Sequence, residues 1–310
     1  MSNSSIEVGA DRALDAFADP TNIACAGDYI ALLKPRVMSL VVFTGFVGLY
    51  LAPAKVHPVL GAVAVLCIAV AAGAAGAINM WYERDVDAVM TRTRGRPIPA
   101  GRIAPGNALG FGVVLAVGAV SLMALALNWV AAALLALSIG FYVFNYTIWL
   151  KLRTPQNIVI GGAAGAFPPM IGWAAATGDV GLASLALFAI IFMWTPPHFW
   201  SLALYRSDDY ARAGIPMLPV VAGKEETRRQ IAIYAVLLVP VSAAPYVLGV
   251  SGPLYLGAAL LLGAFFLTAA LRVWFDHSDR AARRSFHASL LYLFLLFVAL
   301  IGDRALQGSV

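Results

Sequence analysis

The sequence predicts an all-α membrane protein that crosses the bilayer many times, and three observations support this fold class. Of the 310 residues, 61% are hydrophobic and only 12% are charged, whereas a soluble chain is about half apolar and a quarter charged. The mean hydropathy is +0.82. The apolar residues form long continuous runs that lack the alternating pattern of membrane-spanning β-strands. A water-soluble globular domain is therefore excluded, and the apolar runs are expected to be spanning helices.

Nine windows are long and apolar enough to cross the hydrocarbon layer, which takes about 20 residues of helix. Polar residues, glycine or proline separate them. Two connecting loops, 81–106 and 206–230, are much longer than the others. The predicted spans are residues 37–54, 59–80, 107–127, 129–149, 157–176, 183–205, 231–250, 253–271 and 286–302.

The basic residues predict the orientation of these spans. If the N-terminus is cytoplasmic, all of the 21 Lys and Arg residues except Lys55 and Arg304 fall on the cytoplasmic side. Cytoplasmic loops are enriched in Lys and Arg, so both long loops are expected in the cytoplasm and the C-terminus on the opposite side. The net charge of +5 then reflects topology, and no nucleic-acid partner is expected.

The chain is expected to form one membrane domain over residues 31–305. Residues 1–30 lack the short apolar core of a signal peptide and are predicted to be a mobile cytoplasmic tail. Residues 306–310 are predicted to be a short C-terminal tail. The two cysteines, Cys25 and Cys67, predict neither a disulfide framework nor a thiolate metal site.

Polar side chains gather at the end of the second predicted span. At about 100° per residue, Asn79, Glu83 and Asp87 share one helix face, whereas Asp85 points elsewhere. Oxygen ligands of this kind suit Mg²⁺, which typically takes one or two carboxylates and keeps positions for water and substrate phosphate. The arginines that follow supply planar donors for phosphate oxygens, namely Arg92, Arg94 and Arg96. The segment predicts a metal–diphosphate site; ordinary surface charges in a cytoplasmic loop are the alternative.

A second group of polar residues ends the sixth predicted span. If the helix continues, His198, Tyr205 and Asp209 lie on one stripe, and Asp208 flanks it. His198 follows a Pro-Pro pair and is either a hydrogen-bonded interface residue or a functional one. The aromatic residues near it form either a membrane-interface belt or the wall of a pocket for a flat apolar ligand; they are Trp194, Phe199 and Trp200.

The fifth predicted span contains Gly161 and Gly165 at the Gly-x-x-x-Gly spacing. This spacing permits close approach of two helices, so a packing role is favoured over a functional one. The adjacent Pro168 and Pro169 are expected to be able to break this helix inside the bundle.

Together these segments resemble the UbiA-type intramembrane prenyltransferases, and within them the branch that farnesylates haem. The similarity runs from Lys34-Pro35-Arg36 to the ninth span, and its most specific parts are residues 79–87, 92–97, 161–169 and 197–200. It implies a bundle of nine transmembrane helices around a central cavity that opens laterally to lipid, with diphosphate held at the cytoplasmic mouth. It also implies transfer of farnesyl from farnesyl diphosphate to a vinyl group of haem B, with water addition, which gives haem O and diphosphate.

The resemblance also implies roles for individual residues. Asn79, Glu83 and Asp87 match the motif that binds diphosphate through Mg²⁺, and Arg92 and Arg96 match the arginine pair that follows it. The family's second Asp-x-x-x-Asp motif is not intact here, so a second metal is less well supported. His198 is expected to ligate or orient haem, or to help deprotonate the water. A role in haem binding or in the second motif is expected for Trp200, Tyr205, Asp208, Asp209 and Tyr210.

The implied partners are farnesyl diphosphate, haem B and the lipid of the cell inner membrane, with hand-over of the product to haem A synthase or to terminal oxidase assembly. Three other functions share some features. A prenyltransferase for a quinone precursor or a chlorophyll-type alcohol would share the first motif. A lipid-head-group phosphotransferase also uses metal and carboxylates, but its Asp-x-x-Asp-Gly-x-x-Ala-Arg pattern is missing. A transporter would place charges near the bilayer midplane, whereas these acids gather at one face.

Overall fold

The computed structural model describes residues 24–307, which form thirteen α-helices, one π-helical segment and no β-strand. The all-α prediction is therefore confirmed for this part of the chain. The helices are α1 (Ala26–Leu32), α2 (Pro35–Leu51), α3 (Pro58–Tyr82), α4 (Arg84–Val89), α5 (Pro105–Ala126), α6 (Trp129–Gly140, continued by the π-helix Phe141–Leu150), α7 (Asn157–Thr177), α8 (Leu182–Leu204), α9 (Ser207–Arg212), α10 (Leu218–Val221), α11 (Gly223–Val247), α12 (Pro253–Phe275) and α13 (Asp279–Gln307).

Eight of the helices within residues 24–307 are long and apolar enough to cross a membrane, counting α6 and its π-helical continuation as one. The count is nine if α1 and α2, which meet at 55°, form one bent span. A polytopic membrane fold is thus confirmed. Two helices extend well beyond their predicted windows: α11 begins at Gly223 and α13 at Asp279. Their first turns are charged, so an apolar window could not include them.

The ends of the chain, residues 1–23 and 308–310, lie outside the described residues, and most of both predicted tails falls there. The described end of the predicted N-terminal tail is helical, because α1 begins at Ala26. An ion pair links this helix to the first long loop, since Arg102 Nε lies 2.7 Å from Asp28 Oδ1.

Helices α2 and α7 cross at unusually close range. A Cβ atom added at Gly48 would lie 2.0 Å from the Pro169 carbonyl oxygen, and one added at Gly172 would lie 2.0 Å from the Gly45 carbonyl oxygen. Only glycine permits this contact between two backbones. Helix α7 does not break at Pro168 and Pro169 but continues through both to Thr177.

The two glycines of the Gly-x-x-x-Gly pair in the same helix differ in how closely they pack against neighbouring residues. A Cβ added at Gly161 would come within 2.2 Å of the Tyr146 ring, whereas one at Gly165 would meet nothing within 4 Å. Close packing therefore depends on Gly161, Gly172 and the glycines of α2, and Gly165 is not needed for it.

The two larger of three hydrophobic clusters in the described residues hold the bundle together. One joins α3, α5, α6 and α7, and the other joins α2 and α7 to α8, α11, α12 and α13. Helix α7 contributes to both, so it forms the centre of the bundle. The largest fully buried side chains of the second cluster are Trp200, Tyr255, Phe266, Tyr292 and Phe297.

Candidate functional site

The first polar motif lies where α3 gives way to α4. Glu83 interrupts the helix, but the hydrogen-bond spacing continues through it: Glu83 N donates to Asn79 O at 2.9 Å, and Asp87 N donates to Glu83 O at 2.7 Å. Asn79, Glu83 and Asp87 therefore keep one face in common. All three side chains are buried, with exposed fractions of 2%, 5% and 2%, so an interpretation as solvated surface charges does not fit them.

Each of these three oxygen-bearing side chains meets a basic side chain from another part of the fold. The bases come from the N-cap of α2, from the end of the π-helix and from the loop after α4. The charged groups of the other residues all lie close enough to Lys34 to act on it electrostatically, so the side chains converge on one region; these groups are Glu83, Asp87, Arg96 and Lys151. We call these six residues the polar cluster. Its pairs are Lys34 Nζ with Asn79 Oδ1 at 2.8 Å, Lys151 Nζ with Glu83 Oε1 at 2.5 Å, and Arg96 Nη1 with Asp87 Oδ2 at 2.6 Å.

The π-helical segment positions two side chains on this cluster. Lys151 N donates to Tyr146 O across five residues, which is the backbone spacing of a π-helix, and the Thr147 side-chain hydroxyl donates to Tyr142 O. This wider turn rotates the end of the span relative to an α-helix, and π-helical turns are frequent at functional sites. As a result Thr147 Oγ1 accepts a hydrogen bond from Asn79 Nδ2 at 3.1 Å. The amide of Asn79 is thereby oriented with its oxygen towards Lys34.

Lys34 has a strained backbone. Its φ of 54° makes it the only non-glycine residue with positive φ in residues 24–307. A left-handed conformation at a residue other than glycine costs of order 1–3 kcal/mol, and such residues cluster at functional sites. The conformation ends α1, starts α2 and places the ammonium group on Asn79.

A cavity of about 460 Å³ lies beside the polar cluster. Its walls include Glu83, Thr147 and Lys151, together with the aromatic side chains of Trp81 and Tyr82. The cavity therefore combines an acid, a base and a hydroxyl with apolar walls, as small-molecule sites do.

The predicted arginines occupy different positions. Arg96 is half-buried in the polar cluster, whereas Arg92 and Arg94 are exposed. Arg92 nevertheless lies close enough to Tyr146 and Tyr205 to interact with both electrostatically. It therefore faces the region between the two long loops.

The second motif does not lie on a continuous helix. Helix α8 ends at Leu204, a turn follows at Tyr205 and Arg206, and α9 begins at Ser207. The expected single stripe through His198, Tyr205 and Asp209 is therefore wrong, because the chain turns before it reaches the acids.

Asp209 joins the two long loops. Its side chain is buried, and Oδ1 accepts hydrogen bonds from Thr91 N at 3.2 Å and from Arg212. Burial raises the pKa of Asp209, but the hydrogen bonds from Thr91 and the charges of Arg212 and Arg206 outweigh it and hold the pKa below its usual range. The neighbouring Asp208 is exposed. The loops that follow α3 and α8 thus meet at the same end of the bundle.

The other residues expected near the second motif are spread over different surroundings. Tyr205 is half-buried, with the guanidinium carbon of Arg283 5.1 Å from its ring centroid. Tyr210 is buried in the second hydrophobic cluster. Trp200 is 1% exposed and packs edge-on against Tyr234 of α11. This position of Trp200 suits packing of the core.

His198 is held between α8 and α13. Its ring stacks on Trp194, with centroids 4.2 Å apart, and on Phe286 at 4.6 Å. Its Nδ1 lies 2.7 Å from Ser289 Oγ, which itself donates to Phe286 O. A hydroxyl has one proton to donate, so Ser289 accepts from Nδ1–H and the lone pair falls on Nε2. Within residues 24–307, Nε2 makes no hydrogen bond.

Sequence reasoning missed four residues of these sites. Lys34 and Lys151 enter the sequence prediction as part of the positive charge of the cytoplasmic side, and Lys34 also as the start of the family resemblance, but neither is assigned to the site. Thr147 and Ser289 lie inside apolar spans and are not assigned a role there. The lysines could have been found, since each flanks a span next to the acidic motif at the same predicted membrane face. The two hydroxyls gave no sequence signal.

The family of the chain follows from comparison with known proteins. The model of the UbiA prenyltransferase family matches residues 41–299, which include the first motif, the π-helical segment and His198. The chain belongs to the UbiA prenyltransferase family.

Two relatives resemble the chain over most of its length and of their own. The Protoheme IX farnesyltransferase of Acidiphilium cryptum is 61% identical over 289 residues, which cover 90% of this chain and 91% of the relative. That of Parvibaculum lavamentivorans is 57% identical over 310 residues, covering 99% and 96%.

Solved structures of UbiA-family proteins share the fold. A digeranylgeranylglyceryl phosphate synthase has a TM-score of 0.75 at 18% identity, covering 89% of this chain and 97% of that one. A UbiA homologue from Archaeoglobus fulgidus bound to DMAPP and Mg²⁺ has a TM-score of 0.63 at 16% identity, covering 88% and 99%. The UbiA-type helical fold is therefore shared at low sequence identity.

Proposed function

We propose that this chain transfers farnesyl from farnesyl diphosphate to a vinyl group of haem B, with addition of water, to give haem O and diphosphate. The observation that carries the proposal is the polar cluster, in which two buried carboxylates and a carboxamide face three bases beside a cavity. The choice of haem as acceptor rests on the relatives named Protoheme IX farnesyltransferase, which are 61% and 57% identical to the chain.

The bases of the polar cluster are suited to hold a diphosphate. Lys34, Lys151 and Arg96 each already bind an oxygen atom of the cluster, so they can exchange these partners for phosphate oxygens as substrate enters. Arg96 offers a planar fork for two oxygens, and the lysines act as point charges. Arg92 is exposed nearby and adds a further donor at the mouth.

The oxygen ligands of the cluster fit Mg²⁺. Asn79, Glu83 and Asp87 offer a carboxamide and two carboxylates, which are hard ligands of the type this ion prefers. Within residues 24–307, no group of three His, Cys, Asp or Glu side chains could hold a metal alone, so phosphate oxygens of the substrate are expected to complete the coordination. When bound, Mg²⁺ neutralises charge on the departing diphosphate.

The chain's own residues then favour ionisation of the allylic C–O bond. Its electron pair leaves with the diphosphate, where Lys34, Lys151 and Arg96 stabilise the added charge. The vinyl π electrons of haem form the new C–C bond to the farnesyl carbon. Water adds to the cation left on the haem side, and loss of its proton gives the hydroxyl group.

His198 is assigned to the haem side of the reaction. Ser289 orients its ring so that the lone pair lies on Nε2, and Trp194 and Phe286 cover its two faces. Nε2 can therefore ligate the haem iron or accept a proton from the attacking water. The second motif is assigned to Tyr205, Asp208, Asp209 and Tyr210. Asp209 is the member best suited to bind a ligand, because its Oδ2 is buried without a hydrogen-bond partner in the described part of the chain.

The protein is assigned to the cell inner membrane, with both long loops and the N-terminus in the cytoplasm. The distribution of Lys and Arg supports this orientation. Product hand-over is assigned to a haem A synthase or to assembly of a terminal oxidase. Labelling of single cysteines introduced at exposed positions of the 206–230 loop, in intact cells, tests the orientation.

The activity is tested by incubating the purified protein with haem B, farnesyl diphosphate and Mg²⁺ and measuring the mass of the pigment. We expect the mass of haem O and release of diphosphate. A quinone precursor supplied instead of haem should give no product. Prenylation of the quinone precursor with no change in haem would replace this proposal with the alternative prenyltransferase.

Asp87 and Asp85 form a matched pair for the assignment of the site. Asp87 is buried and bound to Arg96, whereas the Asp85 side chain is 85% exposed. We expect Asp87→Asn to abolish most farnesyl transfer at limiting Mg²⁺ and Asp85→Asn to retain it. Full activity of the Asp87 variant would refute its role as a metal ligand.

A further inference from the structure

A second, larger cavity opens at the end of the bundle opposite the polar cluster. Its volume is about 1210 Å³, above the roughly 300–1,000 Å³ of most small-molecule sites. The end of α2, the 52–57 loop, the start of α3 and the end of α13 form its walls. No residue of the polar cluster lines it, so it is separate from the site described above.

The basic residues at this end are concentrated in the cavity. Lys55 and Arg304 are the only two Lys or Arg residues expected on this side of the membrane, and both line it. Neither side chain makes an ion pair or hydrogen bond within residues 24–307. Among the described residues no acid lines the cavity, and the adjacent Asp303 forms no ion pair with Arg304; its buried carboxylate instead accepts hydrogen bonds from Gly252 N and Tyr255 N. The mouth of the cavity is therefore positively charged.

Below these two bases the walls are apolar. Leu49 and Tyr50 of α2 face Val65 and Ala69 of α3. From Pro58 to Ala69 the helix rises about 16 Å at about 1.5 Å per residue, close to half of the roughly 30 Å hydrocarbon core. The cavity thus reaches from the membrane surface to about the depth of one leaflet.

We propose that this cavity binds a phospholipid with an anionic headgroup from the leaflet opposite the polar cluster. The headgroup phosphate lies between Lys55 and Arg304, and the acyl chains follow the apolar walls between α2 and α3. A small soluble anion would leave the apolar depth unfilled, and a zwitterionic lipid would leave the charge of the two bases uncompensated. The proposal does not depend on the reaction catalysed at the polar cluster.

The test is native mass spectrometry of the full-length protein in detergent, with phosphatidylglycerol or phosphatidylcholine of the same acyl chains. The test variant is Lys55→Gln/Arg304→Gln. The matched control is Lys224→Gln/Arg272→Gln, which removes two exposed bases that do not line the cavity. Each basic residue near an anionic headgroup strengthens binding of the lipid, so the test variant, which lacks both, should retain phosphatidylglycerol on the order of thirtyfold less well than the wild type.

Two further measurements test the apolar part of the cavity and the folding of the variants. Ala62→Phe fills the apolar part of the cavity and should also reduce retention while both bases remain. Thermal unfolding in detergent checks that each variant is folded. An equal loss in the control variant, no loss in the test variant, or equal binding of phosphatidylcholine by the wild type would overturn the proposal. Displacement of the lipid by haem O, lost in the same variant, would overturn the proposal and make the reaction product the occupant of the cavity.

Discussion

Lys151 Nζ and Glu83 Oε1 lie 2.5 Å apart and join two spans across 68 residues of sequence. Both side chains are largely buried, with exposed fractions of 17% and 6%. A buried carboxylate without a partner is costly, and Lys151 supplies that partner for Glu83 beside the cavity. In the proposed reaction, the same lysine turns to a phosphate oxygen when diphosphate binds and leaves the carboxylate free to bind Mg²⁺.

Replacing this lysine should damage both stability and catalysis. Lys151→Met leaves Glu83 buried and unpaired, which costs on the order of 3–5 kcal/mol, and it removes a donor to the departing diphosphate, for which we expect a loss of about 10²–10³ in kcat. Steady-state kinetics with farnesyl diphosphate and thermal unfolding measure the two effects. Arg153→Met, a neighbouring exposed base, should change neither, and an equal effect of both variants would contradict the assignment.

Thr147 should control the orientation of the Asn79 amide. Thr147→Val keeps the shape but removes the acceptor for Asn79 Nδ2, which leaves a buried donor unsatisfied at a cost of about 1–3 kcal/mol. We expect a weaker apparent affinity for Mg²⁺, measured as a higher metal concentration for half-maximal rate. Thr147→Ser keeps the hydroxyl and should behave as the wild type. Identical metal dependence in the Val variant would show that the amide needs no such support.

Asp209 should hold the two long loops together. Asp209→Ala removes the acceptor for Thr91 N and Arg212, so hydrogen exchange of backbone amides near Thr91 should become faster, because local opening costs less free energy. The exposed neighbour variant, Asp208→Ala, should leave exchange unchanged. Equal protection of this loop in both variants would mean that the contact does not restrain it.

The spans and the first motif could be predicted because both depend on local sequence. Apolar runs specify helices whatever they pack against, and the spacing of Asn79, Glu83 and Asp87 sets their common face even though Glu83 interrupts the helix. Arg96 follows the motif and was predicted with it, but the pairing of the two lysines with the motif could not be predicted from local sequence. Lys34 and Asn79 are separated by 45 residues, and their contact depends on the packing of α2 on α3 and on the left-handed backbone of Lys34.

The second motif was harder to predict from the sequence for a related reason. The helical stripe through Asp209 required α8 to continue, and nothing local to Leu204 marks its end. The contact of Asp209 with Thr91 joins loops 118 residues apart and exists only because α3 and α8 end at the same face. The π-helical segment likewise cannot be recognised from its amino-acid composition, yet it determines which residues of that span contact the polar cluster.

A side chain larger than hydrogen at the glycines where α2 and α7 cross should destabilise the protein. In Gly172→Ala the added Cβ would lie 2.0 Å from the Gly45 carbonyl oxygen. Because the backbone cannot move aside as a flexible side chain does, we expect the free energy of unfolding to fall by about 1–3 kcal/mol or more. Gly165→Ala, two turns earlier in α7, faces open space and should be neutral or stabilising by up to about 1 kcal/mol. Thermal unfolding in detergent compares them, and equal melting temperatures would contradict the close contact.

Ser289 should act on haem through His198. Ser289→Ala removes the acceptor for His198 Nδ1–H, so the imidazole loses the hydrogen bond that keeps the lone pair on Nε2. A lost hydrogen bond of this kind costs about 1 kcal/mol, which predicts a several-fold higher KM for haem with an unchanged KM for farnesyl diphosphate. The tautomer itself is measured by ¹⁵N NMR of labelled histidine, in which the Nδ1 and Nε2 signals should change in the variant.

The control for this residue lies one turn earlier on α13. Ser285 pairs with Ser201 at 3.1 Å and makes a similar buried contact between α8 and α13 without touching the imidazole. Ser285→Ala should therefore disturb the helix interface to a similar extent but leave the His198 signals and the KM for haem unchanged. If both serine variants raise the two KM values equally, Ser289 only packs the interface, and His198 has no oriented role towards haem.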